Sequence, residues 1–342
     1  MPTNVSPEYK RAELAFKQAR EPQERLEGLR EMLRTIPKHK GTEHLQADIK
    51  SRIKQLSEEC KDTRKGAARG GPLQVVRPEG AAQVALLGPP NAGKSNLHAH
   101  TTSSHAGVGP YPFTTHEPLP GMLPFEDIHF QLVDLPPVTR EHPVPWIGDA
   151  LQPADACLLV VDLQDPDCVE AVLAIRELLA TRHITLSENW DHATAGDGKD
   201  EMEIADPFAL VLPTLLIAAK VDLMAEREDE LAVFHELIGT RFPTIETSVE
   251  TGEGLDAIGQ WLFEKLEIVR IYTKAPGRPP DKYKPFTVRC GDTVHDVALQ
   301  VHRDLADTLK FARLWGASGR FDGQQVSRDH PVRDGDVLEL HS

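Results

Sequence analysis

The first part of the chain carries its apolar side chains at helical spacing. Leu26, Leu29, Leu33 and Ile36 recur every three or four positions, and Leu45, Ile49, Ile53 and Leu56 do the same after the break IPKHKGT. Each set falls on one face of a helix. Ser6-Pro7-Glu8 supplies an N-cap, a first-turn proline and a first-turn acid ahead of them, so a helical hairpin is predicted over residues 1–65. The run KDTRKGAARGGP is rich in Gly, Pro and charge and reads as a flexible linker, 66–80. From Ala82 the period changes. Short apolar runs, QVALL, IHFQLV, CLLVVD, LPTLLIA and PTIET, alternate with amphipathic stretches, which predicts an α/β domain over 81–273, its mostly parallel sheet covered by helices on both faces. An acidic, Gly-containing stretch at 187–207 interrupts it and reads as a mobile, non-catalytic loop. YTKAPGRPPDKYKP gives a second linker, 274–284. PFTVRC, a helix from about Thr293, FARLWG and DVLEL then form a small α+β unit, 285–342.

Composition narrows the class. At 342 residues the chain exceeds one ordinary core, and no apolar run approaches the 18 or so residues a membrane span needs. The start MPTNVSPEYKRAELAFKQAR has no apolar stretch of the kind that drives secretion, so no export signal is expected. Cys60, Cys157, Cys168 and Cys290 are scattered with no C-x-x-C pair, which argues against a disulfide framework or thiolate zinc site and fits a reducing cytoplasm. The net charge of -15 is uneven. Residues 1–70 hold 16 Lys and Arg against 11 Asp and Glu, a basic arm on an acidic body. Contact with RNA would therefore be local and run through that arm, or the arm is simply a solvated helical face.

The sharpest chemical signal is Gly88-Pro-Pro-Asn-Ala-Gly93-Lys94-Ser95, a G-x-x-x-x-G-K-S directly after the strand QVALL and before a helix. That is the context a phosphate-binding loop requires. Gly88 and Gly93 let the backbone curl so that the N–H groups of Asn91, Ala92, Gly93 and their neighbours through Asn96 surround the phosphates. Lys94 neutralises the outer phosphate oxygens, and Ser95 offers a hydroxyl to magnesium. Downstream residues select guanine. Thr114 and Thr115 in YPFTT lie after the first helix, where a threonine can reach magnesium and the γ-phosphate. Asp134 follows IHFQLV and sits beside the metal, so Ser95, Thr115 and Asp134 form the predicted metal set. Lys220-Val221-Asp222 ends LPTLLIA, where the Asp222 carboxylate can accept from guanine N1 and N2. Ser248 and Val249 open a turn that closes over the base with backbone N–H groups.

GPPNAGKS, YPFTT, DLPP, AKVD and SVETGEGL resemble the five nucleotide motifs of Obg-type translation-factor GTPases, in particular the developmentally regulated GTP-binding (DRG) branch. The tail from His302 to Ser342 is similar to the TGS domain, a β-grasp module. The resemblance spans nearly the whole chain. It implies an N-terminal helical region, a P-loop GTPase domain, a C-terminal TGS domain, binding of GTP and GDP with magnesium, and a role around ribosomes or translation, often with a protein partner. Asn91 matches the asparagine through which related GTPases hold potassium, so Lys94, Thr115 and Asn91 are the catalytic candidates. Departures are specific. Pro137 stands where the family has a glycine whose N–H meets the γ-phosphate, and proline has no N–H. Ala219 replaces the asparagine before Lys-x-Asp and Asn96 replaces a threonine, whereas Val138, where Ras-like enzymes orient water with glutamine, stands at a position that is also hydrophobic in the resembled family.

Other sites are weaker. His98, His100 and His105 do not share a helix face, and Trp261 and Phe263 read as core. Trp315 reads as core or as an exposed base-stacking platform. Three functions follow: a slow GTP hydrolase at ribosomes, a nucleotide-binding scaffold that has lost hydrolysis through Pro137 and Ala219, and an RNA-binding protein centred on the TGS unit.

Overall fold

The computed structural model describes residues 7–19, 22–36, 42–65, 75–102, 117–142, 144–190, 209–275 and 277–341. Thr114, Thr115 and the stretch 191–207 of the acidic loop lie outside the described residues. The N-terminal helices form one body and the two sheets another.

The N-terminal body has three helices where a two-helix hairpin is expected: α1 (Pro7–Gln18), α2 (Pro22–Thr35) and α3 (Glu43–Lys65). Pro22 is the reason. It has no N–H to continue a helix from α1 but suits the first position of a new one. Tyr9, Ala12 and Phe16 of α1 then pack with Leu29, Met32, Ile36 and Ile49. Gly28 allows the close crossing, because a Cβ there would stand 3.0 Å from the Phe16 Cα.

In the second body, β1 (Gln83–Leu87) leads to α4 (Lys94–Thr102). An antiparallel hairpin follows, β2 (Leu119–Phe125) and β3 (Ile128–Asp134), then α5 (Ile147–Leu151), β4 (Ala156–Asp162), α6 (Cys168–Ala180) and β5 (Ile184–Ser187). The domain is completed by β6 (Leu210–Ala219), α7 (Arg227–Ile238), β7 (Thr244–Thr247) and α8 (Leu255–Lys265). The sheet runs β2-β3-β1-β4-β6-β5, with β7 also on β6. The pairs β1–β3, β1–β4, β4–β6 and β6–β7 are parallel, as the alternation predicts. All five strands read from apolar runs are present. β2 is additional: LPGMLPF holds two prolines and a glycine, which hide it from a strand pattern and suit the sheet edge it occupies. The start of the expected acidic loop is anchored. Trp190 is buried, donates from Nε1 to the Thr214 carbonyl at 3.2 Å and meets Trp261 edge-on.

The C-terminal sheet begins earlier than expected. β8 (Ile268–Thr273) pairs antiparallel with β9 (Asp281–Arg289), so part of the stretch read as a linker, 274–284, is strand. The two lysines and the proline of DKYKPF conceal it. α9 (Val294–Val301), α10 (Arg303–Thr308), β10 (Phe311–Trp315), β11 (Gln324–Val326) and β12 (Val337–His341) follow, in the sheet order β11-β10-β12-β8-β9. Thr293 and Asp296 form a capping box that starts α9 where the sequence places it. Val269, Ile271, Val297, Leu314 and Leu338 close a separate small core. Trp315 is half-buried, with the Lys274 ammonium 3.6 Å above its ring.

Two arginines tie this sheet to the first. Arg289 donates to the Leu266 carbonyl at 2.6 Å and to Asp155 at 3.0 Å. Arg270 grips Asp334 at 2.8 Å and Asp127 at 3.1 Å, contacts Glu126, and stacks 4.8 Å from the Phe263 ring. Glu126 and Asp127 form the tip of the β2–β3 hairpin.

Candidate functional site

β1 ends at Leu87, and the backbone then turns through Gly88 (φ 152°), Asn91 (φ 60°) and Gly93 (φ 100°) into α4. A Cβ on Gly88 would lie 2.1 Å from the Val160 carbonyl of β4, so only glycine fits. Positive φ at Asn91 and Gly93 curls successive N–H groups toward one concavity at a helix N-terminus, the geometry that receives phosphate. Ala92 is buried behind the loop. Lys94 is buried too, and its ammonium donates to the carbonyls of Gly88 at 2.9 Å and Pro89 at 2.7 Å. Burial pushes it down to about 8, against the pull of Asp134. An anion in the loop would supply the counter-charge this cation needs.

Parallel pairing of Leu86 with Asp134 brings the end of β3 beside the loop. Asp134 is fully buried and accepts from the Ser95 hydroxyl at 2.6 Å. A hydroxyl and a carboxylate in contact are the hard oxygen donors magnesium prefers, so these two residues fit that ion. His98, one turn along α4, is fully buried; burial lowers its pKa while Asp134 opposes the shift. Among the described residues no three His, Cys, Asp or Glu side chains converge on a metal position. Beyond Asp134 the chain runs through buried Leu135, Pro136, Pro137 and Val138. Pro137 brings no N–H and Val138 no polar side chain to this segment.

On the other side of the loop is a cavity of about 250 Å³, lined by Gly93, Asn96, Ala219, Lys220, Asp222 and Val249 among others. Lys220 adopts the left-handed conformation (φ 60°) at the end of β6. Its ammonium reaches the Asn91 carbonyl at 3.0 Å and Asp162 at 2.7 Å. Asp162 escapes sequence reasoning because it belongs to no motif. It arrives by register, opposite Ala219 in the β4–β6 pair. Asp222 sits on the short 3-10 turn Val221–Leu223 and lines the cavity. Ser248 is buried and spent on its own turn: its hydroxyl accepts from the Thr251 N–H at 3.2 Å and its carbonyl from the Gly252 N–H at 2.9 Å. Val249, next to it, faces the cavity. The geometry thus brings together Gly88, Asn91, Gly93, Lys94, Ser95, Asn96, Asp134, Lys220, Asp222 and Val249, with Ala92 and Ser248 bracing the backbone behind them.

Residues 83–189 match the family described as 50S ribosome-binding GTPase, and residues 269–342 match the TGS domain. Over most of its length the chain is similar to known proteins. GTP-binding protein 1 of Schizosaccharomyces pombe is 26% identical, with 93% of this chain and 98% of that protein covered. Developmentally-regulated GTP-binding protein 1 of Xenopus laevis is 25% identical, with 91% and 96% covered. An uncharacterized GTP-binding protein of Methanocaldococcus jannaschii is 26% identical, with 93% and 92% covered.

Proposed function

We propose that the chain is a GTP-binding protein of the DRG/Obg-type family and a slow, magnesium-dependent GTP hydrolase that works at the ribosome. The observation that carries the reading is a buried, phosphate-seeking Lys94 at one end of the loop and the Asp222 carboxylate in the cavity at its other end. Together they match a triphosphate joined to a base with two adjacent N–H donors. In this reading the loop N–H groups from Gly88 to Asn96 hold the phosphates, and Lys94 leaves its carbonyl partners to meet the outer oxygens. Lys220 braces the loop against the base site through Asn91 and Asp162. Asp222 takes guanine N1 and N2, and Val249 closes the other side. Ser95, Asp134 and Thr115 would hold magnesium, which supplies charge neutralisation between the outer phosphates. Asn91, placed at the loop surface, would hold potassium in the catalytic state. Phosphate release measured with and without magnesium and potassium tests this: loss of turnover without magnesium and stimulation by potassium are expected, and turnover indifferent to both contradicts it.

One set of observations favours a second reading. Pro137 gives the γ-phosphate segment no N–H and Ala219 gives the cavity wall no polar side chain, which supports a nucleotide-binding scaffold without hydrolysis. Binding without measurable turnover would select it. The ribosome is supported by the description of the matching GTPase family, by the basic arm of residues 1–70 and by the TGS domain. Deleting residues 1–70 should flatten the salt dependence of ribosome co-sedimentation, and deleting 281–342 should weaken it at every salt concentration. No effect from either deletion, or no co-sedimentation at all, contradicts the ribosome reading.

A further inference from the structure

We propose that Asn96 reads the N7 edge of the guanine base, in place of the polar side chain that Ala219 does not supply; the inference rests on the cavity beside the loop being the base pocket. Guanine presents donors at N1 and N2 and acceptors at O6 and N7. A carboxylate at Asp222 satisfies the donors and repels the acceptors, so the N7 edge points away from it and needs a donor from another wall. Ala219 offers only a methyl group, whose Cβ lies 3.9 Å from where a Cβ on Gly93 would stand. The side-chain donors lining the cavity are those of Asn96, Lys220 and Thr247. Lys220 is committed to Asn91 and Asp162, and the Thr247 hydroxyl donates to the Ala218 carbonyl at 3.4 Å. Asn96 is exposed on the first turn of α4, and among the described residues its amide has no hydrogen-bond partner. A carboxamide carries two N–H donors, which suits N7 with O6 beside it. The base therefore lies between the two walls, its donors on the turn after β6 and its N7 acceptor on α4.

The test is a binding comparison of GDP with 7-deaza-GDP, in which N7 is replaced by C–H, on the full chain and on the Asn96→Ala, Ala219→Asn and doubly substituted proteins. Alanine is the best helix former, so α4 tolerates the change. The parent should bind 7-deaza-GDP about fivefold more weakly than GDP, the size of one neutral hydrogen bond. Asn96→Ala should lose about the same factor for GDP and nothing further for 7-deaza-GDP. Adding Ala219→Asn should restore both GDP affinity and the preference for N7. If Asn96→Ala weakens both nucleotides equally, the amide contacts phosphate instead and the inference is overturned while the base pocket stands. Equal affinity of the parent for GDP and ADP overturns the base pocket and the inference together.

Discussion

Arg270 clamps the C-terminal sheet to the tip of the β2–β3 hairpin, and its removal should cost measurable stability. It holds Asp334 through two N–H groups at 3.0 and 2.8 Å and Asp127 at 3.1 Å, contacts Glu126, and lies over Phe263. Its charge-assisted bonds would be worth about 1.5–3 kcal/mol each if fully buried. Glu126 and Asp334 are 59% and 38% exposed, so water screens much of this toward the roughly 0–1 kcal/mol of surface pairs. The aromatic contact adds about 0.5–1 kcal/mol. Arg270→Met keeps the apolar stem but leaves three carboxylates facing one another, and Glu126 already sits at φ 48° in the hairpin turn, a conformation that costs energy without glycine. A net loss of about 2 kcal/mol follows, which for a body of this size lowers the thermal midpoint by roughly 4–8 °C. Thermal unfolding of the two proteins at low salt and at about 0.5 M salt reads it. The deficit should shrink in salt as repulsion among the acids is screened. An unchanged midpoint at low salt would refute the view that this arginine clamps the C-terminal sheet to the β2–β3 hairpin.

Pro137→Gly should raise GTP affinity relative to GDP by about tenfold, the low end of one regained hydrogen bond to a charged group, and paired titrations read the ratio; no change means another donor already serves. Gly254→Ala should destabilise the turn over the base, because a Cβ there meets the Glu246 carbonyl at 1.9 Å and φ is 73°; GDP affinity and thermal midpoint should both fall, and a neutral effect on both contradicts the geometry. Burial would raise the Asp334 carboxyl, but its bonds to Arg270 hold it below the ordinary 3.8. A depressed acid stabilises the fold above its unfolded pKa and ceases to as pH falls through the folded one, so stability should drop below about pH 4, and Asp334→Asn should flatten that acid limb in pH-dependent unfolding.

β1, β4 and β6 are legible because a buried parallel strand is a nearly continuous apolar run, as in CLLVVD. The phosphate loop is legible because its glycines answer to backbone demands that no other residue meets: Gly88 faces the Val160 carbonyl. What the sequence conceals depends on residues distant along the chain. β2 needs β3 to become a strand at all. Asp162 matters only because register sets it opposite Ala219, and the Arg270 clamp joins positions 144 apart. The break between α1 and α2 was open to inspection in Pro22, since proline ends one helix as readily as it starts the next. The first half of β9 was harder, because lysine and proline in DKYKPF look alike in a linker and in an edge strand.

The central claim is that the cavity beside the loop selects guanine through Asp222. Calorimetric titration of the full chain and of Asp222→Asn with GDP, ADP and xanthosine diphosphate tests it most directly, because xanthine carries a carbonyl where guanine carries the N2 donor. The parent should prefer GDP to ADP and to xanthosine diphosphate. Asp222→Asn should lose GDP affinity and gain it for xanthosine diphosphate, since the amide can donate to the new carbonyl. Equal binding of GDP and ADP by the parent, or an Asp222→Asn protein whose preference is unchanged, would contradict the account.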